Sequence, residues 1–559
     1  MEALQTDYQI LSDVYEKIRR LQKAEKKAPK TEVISLPQTI YQLINEGVQR
    51  INDLMITSDC SNHPRLLAMK LTFLYEKSKA LVCEGKENSA EEILSDAFAD
   101  IDERLSRREI IFSGLRMMNH LAYLLMKRDD LDRAREILEK GDSAYRRAKP
   151  ISSAVQFLSN EELFSGEAVV HSSESWNKLE RLVTSNLAML GMIYEKLGLW
   201  EKYAGCQHEV LERQLDISGH ELPVWAMKAT KLACFFMAQN RFKEAKNHLA
   251  TATEMLCKAE KKSRPLESGT TSPPKCPEFH RKYADVANCW VKYGLAIFSS
   301  SKMNAMKHFC QDSNEMLARV WNPLFGSPQS PAGDSEGIGE KNKKNARTGG
   351  KSQPTLSSIS EGDEAAGSSA VENEKLSKYD GPLFLFEKLD LSEYDGVTDS
   401  LVDSTLEARI LFYQSHTWLK QVKLFYTLQD HPIEYVNTIM DLNELYRYLA
   451  FFEEDIESQY SVHKLRADAL ETLSAVLREV RPHCYMAVSV EILRELAEVQ
   501  MEMMGLNLRK IYAAQTALPD VNQTLQKIET LQGLNIKLKK FGKSLPGLEA
   551  PDQIQSSHS

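Results

Sequence analysis

Between Leu232 and Ala252, large and small side chains recur at a fixed spacing. Leu232 and Ala233 stand together, Phe236 follows one turn on, and Asn240 marks a turn. Phe242, Ala245, Leu249 and Ala252 complete the run. The same spacing returns as Leu121, Ala122, Leu125, Asp129, Leu131, Ala134, Leu138 and Gly141. A third copy opens with Leu190, Gly191, Tyr194, Gly198 and Trp200, but Tyr203 and Gln207 stand where a small and a large apolar residue belong. Small residues let two antiparallel helices approach closely, and the large ones fill the gaps around them.

This is the tetratricopeptide pattern of helix, turn, helix. One such pair cannot bury its apolar face alone, so pairs stack and leave an extended groove lined by their first helices. A groove of this kind takes proteins or peptides and seldom does chemistry. Helical periodicity recurs from Tyr8 to Phe541 and sustained strand alternation is absent. The expected fold class is therefore all-α, a tetratricopeptide-like helical solenoid in two halves joined by a disordered linker.

The first helical half is placed at residues 1–322. In it, Ser89 with Glu92 forms a capping box opening a helix that ends near Arg107, and a helix without a clear partner covers Tyr283–Phe298. Ile151–Ser175 lengthens one connection, and the prolines of Lys261–Pro277 mark a loop. From Gly326 to Lys378 the chain is mostly Gly, Ser, Pro, Lys, Glu and Asn, too poor in apolar surface to offset chain entropy. Residues 323–380 are thus expected to be a disordered linker, with Ser327-Pro328 and Ser330-Pro331 as sites open to phosphorylation. The second half, 381–545, begins with a turn and an N-cap over Asp395–Ser400. Helices are expected at Leu406–Leu428, Pro432–Asp455, Gln459–Val480 and Tyr485–Met504, with a last one starting at Pro519. The tail 546–559 reads as unfolded.

Hydrophobic residues make up 42% and charged residues 27%, the balance of a soluble globular protein. A net charge of −9 gives no electrostatic footprint for nucleic acid. The locally basic stretch Lys17–Lys30 is interrupted by Glu25 and reads as a solvated helix face. Met1–Gln5 lacks the basic and apolar stretches of a signal peptide, and no run approaches the roughly 20 apolar residues that cross a bilayer. Nine cysteines without a CxxC pair fit a reducing compartment. The expectation is a cytoplasmic protein with no membrane insertion.

Candidate chemistry is thin. Gly333–Gly337 matches GxSxG and Gly350-Lys351-Ser352 ends a P-loop-like string, but both fall in the Gly- and Ser-rich linker. Cys206 and His208 project roughly 200° apart on a helix. His483-Cys484 reads as capping or packing, Asp395 with Asp399 as turn chemistry, and His416 near Trp418 as an interface residue. No catalytic residue, metal site or cofactor is expected.

The groove offers better candidates. Along the Trp225–Met237 helix, the residues left after the packing positions are Met227, Thr230, Cys234 and Met237. The same offsets in the preceding pair give Ser185, Ala188, Met192 and Glu195. That stripe suits a helix or an extended peptide. It lacks the Lys, Arg and Asn set that would clamp a free C-terminal carboxylate, which counts against a chaperone-tail receptor. Met192, Thr230, Cys234 and Met237, with Gln214 at the rim, are the expected partner-binding residues. The alternative for each is plain core packing.

Several strings go beyond a generic repeat. Asp395-Gly396-Val397-Thr398-Asp399 and Leu449-Ala450-Phe451-Phe452-Glu453 resemble strings of the KIF-binding protein (kinesin-binding protein) family. His463-Lys464-Leu465-Arg466, Ala287–Tyr293 and Leu211–Leu215 are similar to that family too. The resemblance implies an all-helical protein that grips kinesin motor domains, masks their microtubule-binding face and regulates transport in growing axons. It implies a cytoskeleton-associated location, with only an indirect link to microtubules. The acidic net charge agrees, since a motor surface that holds acidic tubulin is basic. The linker is longer than the family pattern, and the chain ends soon after Phe541, which implies an uncapped last repeat. The rival readings are a general tetratricopeptide peptide-binding adaptor or co-chaperone, and an enzyme dependent on Cys206.

Overall fold

The computed structural model describes residues 2–25, 36–57, 64–101, 104–148, 157–164, 173–216, 221–263, 277–325, 381–480 and 486–516. No strand occurs among the described residues. The helices are α1 (Glu2–Glu25), α2 (Leu36–Thr57), α3 (Pro64–Cys83), α4 (Glu87–Ala99), α5 (Ile111–Lys127), α6 (Leu131–Ala148), α7 (Asn160–Phe164) and α8 (Ser173–Lys196). They continue as α9 (Trp200–Asp216), α10 (Leu222–Ala238), α11 (Phe242–Ser263) and α12 (Pro277–Phe325). The last four are α13 (Thr405–Phe425), α14 (Pro432–Phe452), α15 (Ile456–Val480) and α16 (Met486–Thr516). The fold is the all-α helical repeat expected from the sequence.

The described residues up to Phe298 and from Phe384 onward form one compact unit. Ser299–Leu383 separate as a second, described only along α12 and at 381–383. Of the expected linker 323–380, residues 323–325 close α12, while 326–380 with the GxSxG and P-loop-like strings, His483-Cys484, the helix from Pro519 and the tail 546–559 lie outside the described residues.

Four helix pairs, α3/α4, α5/α6, α8/α9 and α10/α11, share one turn. Gly85, Asp129, Gly198 and Asn240 have φ of 77°, 64°, 69° and 56°, the left-handed conformation that ends a helix. In each, the next residue donates its N–H back to the residue five earlier. The bonds are Lys86 to Leu81 at 2.9 Å, Asp130 to Leu125 at 3.0 Å, Leu199 to Tyr194 at 2.9 Å and Arg241 to Phe236 at 2.9 Å. This double-bonded cap satisfies carbonyls that the helix end would leave open and aims the chain into the second helix.

The α3/α4 pair is a copy that the sequence pattern hides. Ser78, Leu81, Gly85, Ala90, Leu94 and Ala97 keep the spacing, but Lys77 and Glu87 replace apolar residues. Both are satisfied outward, Lys77 by donating to Asn45 Oδ1 at 3.1 Å and Glu87 by an ion pair with Lys127. The turn at Gly85 also moves the start of α4 to Glu87, so Ser89 lies inside its first turn and is not its cap. That helix stops at Ala99, and beyond it Arg104, Arg107 and Ile110 donate to carbonyls three residues back, as in tight turns. The N-cap expected within Asp395–Ser400 is instead Ser404, which accepts from the Glu407 N–H.

One hydrophobic core runs from Leu11 to Val462 and a smaller one links α14, α15 and α16. Contact with α12 joins the helices before and after the undescribed segment. Trp290 lies parallel to Trp418 at 5.5 Å, and Phe298 parallel to Tyr448 at 5.7 Å. At Gly294 a Cβ would stand 2.0 Å from Ser415 Oγ, so α12 and α13 meet where no side chain fits. His416 stacks on Phe412 at 5.7 Å, a packing role.

Candidate functional site

A stack of helix pairs has two broad sides, one made by first helices and one by second helices. The second-helix side of the last two pairs is already covered by the chain itself. Residues 384–404 form a strap of extended stretches, turns and one short 3-10 turn (Ser392–Tyr394) across α9 and α11. Phe386, buried, packs against His208, Trp225 and His248 with ring centroids at 4.7, 5.6 and 4.9 Å. The strap borrows side chains for its backbone. Phe386 N–H donates to Asn247 Oδ1 at 2.8 Å and Phe384 N–H to Glu244 Oε1 at 3.2 Å. Further along, Lys246 Nζ reaches Val397 O at 2.7 Å and the Tyr293 hydroxyl reaches Thr398 O at 2.8 Å. The strap's own turns pair only some of its backbone groups, and buried backbone must be paired, so side chains of the helices supply these bonds.

The first-helix side stays open. The position after the small residue of each pair is Lys79, Tyr123, Met192 and Cys234 in turn. Tyr123 is 54% exposed, Met192 45% exposed, and Cys234 is exposed. On α8 the open line is Arg181, Ser185, Met192 and Glu195, with Ala188 half-buried. On α10 it is Val224, Lys228, Lys231 and Cys234.

Of the five residues expected to contact a partner, Met192 and Cys234 share this face. Thr230 and Met237 do not, being 2% and 8% exposed. Thr230 Oγ1 donates to Ala226 O at 2.8 Å, so its hydroxyl is satisfied within α10 and offers nothing outward. Gln214 is half-buried on α9, a second helix. The open edge of α10 is turned toward Lys228 and Lys231, which the stripe read along α10 passed over. Their i, i+3 spacing with Cys234 was the available signal.

Around one cavity the charged groups pair with one another. A cavity of about 750 Å³ is lined by Tyr15, Arg19, Glu76, Arg116, Glu161 and Lys178 among others. Arg19 and Lys178 each hold Glu161 at 2.8 Å, and Lys79 and Arg116 hold Glu76 at 3.0 and 3.1 Å. Burial pushes the Glu76 carboxyl up, but Arg116 and Lys79 outweigh it and keep the group below the ordinary range. Cys206 is no activated nucleophile, since burial together with Glu209 and Asp142 pushes its thiol up to about 12. His208 turns away from it, its Nδ1 lying 3.1 Å from His248 Nε2. No group of three or more His, Cys, Asp or Glu able to hold a metal ion occurs among the described residues. No helix of the described residues is long and apolar enough to cross a membrane.

Similarity to known proteins supplies the family. The chain is 24% identical over 537 residues to the KIF-binding protein of Gallus gallus, covering 95% of this chain and 80% of that one. With the KIF-binding protein of Homo sapiens it shares 25% identity over 451 residues, spanning 79% of this chain and 64% of the human one. Measured against the human relative, then, it spans less than two thirds of the length. Among solved structures it resembles "Kinesin binding protein (KBP)" with a TM-score of 0.51 and 16% identity over 95% of this chain and 81% of that one, a likeness of fold. The sequence pattern described as "KIF-1 binding protein C terminal" matches residues 224–319 and 338–557, more than half of the chain. The chain belongs to the KIF-1 binding protein family.

Proposed function

We propose that this chain binds kinesin motor domains through its first-helix side, and by doing so controls their attachment to microtubules. The observation that carries this reading, beside family membership, is the asymmetry of the stack. The strap occupies the second-helix side with its own aromatic rings, while Tyr123, Met192 and Cys234 leave the other side unfilled. Aromatic and methionine side chains in a row give a soft, adaptable surface of the kind that receives a helix. The net charge of −9 favours encounter with a motor face basic enough to hold acidic tubulin. The role is one of binding, without catalysis, in the cytoplasm and in association with the cytoskeleton. Its consequences would be felt in microtubule organisation and axonal transport.

The deciding experiment is co-sedimentation of a kinesin motor domain with microtubules, with and without this chain. Transfer of the motor to the supernatant supports masking. Retention of the motor on microtubules together with this chain overturns masking and leaves an adaptor that tethers.

A further inference from the structure

We propose that Cys234 and Cys289 form a peroxide-sensitive dithiol that closes to a disulfide between α10 and α12. The two Sγ atoms lie 3.8 Å apart, on the first helix of one pair and on the helix that follows that pair. A disulfide needs about 2.05 Å, so the sulfurs must close a gap of about 1.8 Å. Cys234 is exposed and Cys289 half-buried beside it, which gives one thiol that meets solvent and one that waits behind it. Burial holds the other half-buried thiols, Cys206 and Cys257, above their ordinary range. Cys83 is exposed but has no sulfur in contact among the described residues.

The chemistry of the pair is asymmetric. The two sulfurs share one proton contact in which either can donate, and Cys234, the one open to solvent, is the thiol whose pKa this pairing lowers. The same pairing, with burial, keeps the proton on Cys289. Cys234 is therefore the attacking sulfur and Cys289 the resolving one. The oxidant is hydrogen peroxide. The Cys234 thiolate attacks one peroxide oxygen, an S–O bond forms, the O–O bond breaks and hydroxide leaves to be protonated to water. Cys289 sulfur then attacks the Cys234 sulfenic acid, the S–S bond forms, the S–O bond breaks, and the hydroxyl leaves as water with the Cys289 proton. Two thiols are oxidised and one peroxide is reduced to two waters.

The site needs no assumption about what the chain binds. Its test uses the full chain treated with substoichiometric hydrogen peroxide, alkylated, digested and mapped by mass spectrometry. The expected result is a linked Cys234–Cys289 peptide while Cys83 stays alkylated. In Cys289→Ser, dimedone should trap a sulfenic acid at Cys234, and Cys234→Ser should leave Cys289 unlabelled. Oxidation of Cys83 without a linked peptide overturns the proposal, as does equal dimedone labelling of Cys83 and Cys234. The wild-type map stands alone should either variant fold poorly.

Discussion

Arg466, completely buried, donates through Nη2 to Glu495 Oε2 at 2.8 Å, and Asn443 closes the triangle. Arg466 Nε reaches Asn443 Oδ1 at 2.7 Å, while Asn443 Nδ2 reaches Glu495 Oε2 at 2.9 Å. A third acceptor, Glu502, takes Nη1 at 2.9 Å. Burial pushes the Glu495 carboxyl up, but the bonds from Asn443 and Arg466 bring it below its ordinary value. Removing the guanidinium strands a buried carboxylate, so Arg466→Met should cost about 3–5 kcal/mol. Urea unfolding followed by circular dichroism checks this, and a cost under about 1 kcal/mol would mean that water fills the site.

Phe386 holds the strap by its ring. Truncating a buried Phe costs about 3–5 kcal/mol where the cavity cannot collapse. Phe386→Ala should lower the urea midpoint by a corresponding amount and expose the Lys388 peptide bond to trypsin. A variant with a lowered midpoint and an unchanged digestion pattern would show that the strap is held by its backbone bonds instead.

The shared turn sorts substitutions by backbone conformation. At Asp129, with φ of 64°, glycine relieves a left-handed strain of about 1–2 kcal/mol. It loses only the exposed Lys196 pair at 3.2 Å, about 0–1 kcal/mol. Asp129→Gly should therefore raise the thermal midpoint slightly, and Asn240→Val should lower it, because a β-branched side chain clashes at φ of 56°. Differential scanning calorimetry of both variants decides it.

The His208–His248 pair makes the fold sensitive to acid. Burial lowers both imidazoles, His248 to about 3, with His208 as its second cause. Between that value and the unfolded value of about 6.5, the unfolded chain binds more protons than the folded one. Stability is then fully present above about 6.5 and falls as pH drops, by up to about 1.4 kcal/mol per pH unit for each histidine. Urea midpoints at pH 7 and pH 5 should differ in the wild type and differ less in the double variant His208→Phe, His248→Leu, where burial also lowers His120, His416 and His463 and keeps part of the dependence. An undiminished pH dependence in that variant would place the acid sensitivity elsewhere.

The pattern of small and large residues made three of the four pairs legible, down to the left-handed residue at Asp129, Gly198 and Asn240. The α3/α4 pair escaped because Lys77 and Glu87 look wrong for a core and are in fact satisfied by neighbours. The family strings carry specific contacts. Gly396, Val397 and Thr398 offer carbonyls to Gln414, Lys246 and Tyr293, and Glu453 takes both Nε and Nη2 of Arg409. These groups of the strings are engaged in packing within the chain. Which residues of α10 are open to solvent was half legible, since helix rotation depends on neighbours that a single repeat does not reveal. The stripe read directly on α10 took in Thr230 and Met237, inside the core, and missed Lys228 and Lys231.

That rotation yields the sharpest test of the binding side. Tyr123 and Met192 occupy equivalent positions on α5 and α8, both open to solvent, so truncating them leaves the core intact. If a motor domain docks there, Tyr123→Ala with Met192→Ala should weaken binding by about 2 kcal/mol, about 30-fold in Kd, with the thermal midpoint unmoved. Thr230→Val should do the reverse, shifting stability through its lost bond to Ala226 and leaving the Kd alone. Fluorescence anisotropy with a labelled motor domain measures the first quantity and calorimetry the second. Unchanged affinity in the Tyr123, Met192 double variant would move the contact off this side. The remaining open ground on α10 is then Lys228 and Lys231, where charge reversal to Glu should alter the salt dependence of binding.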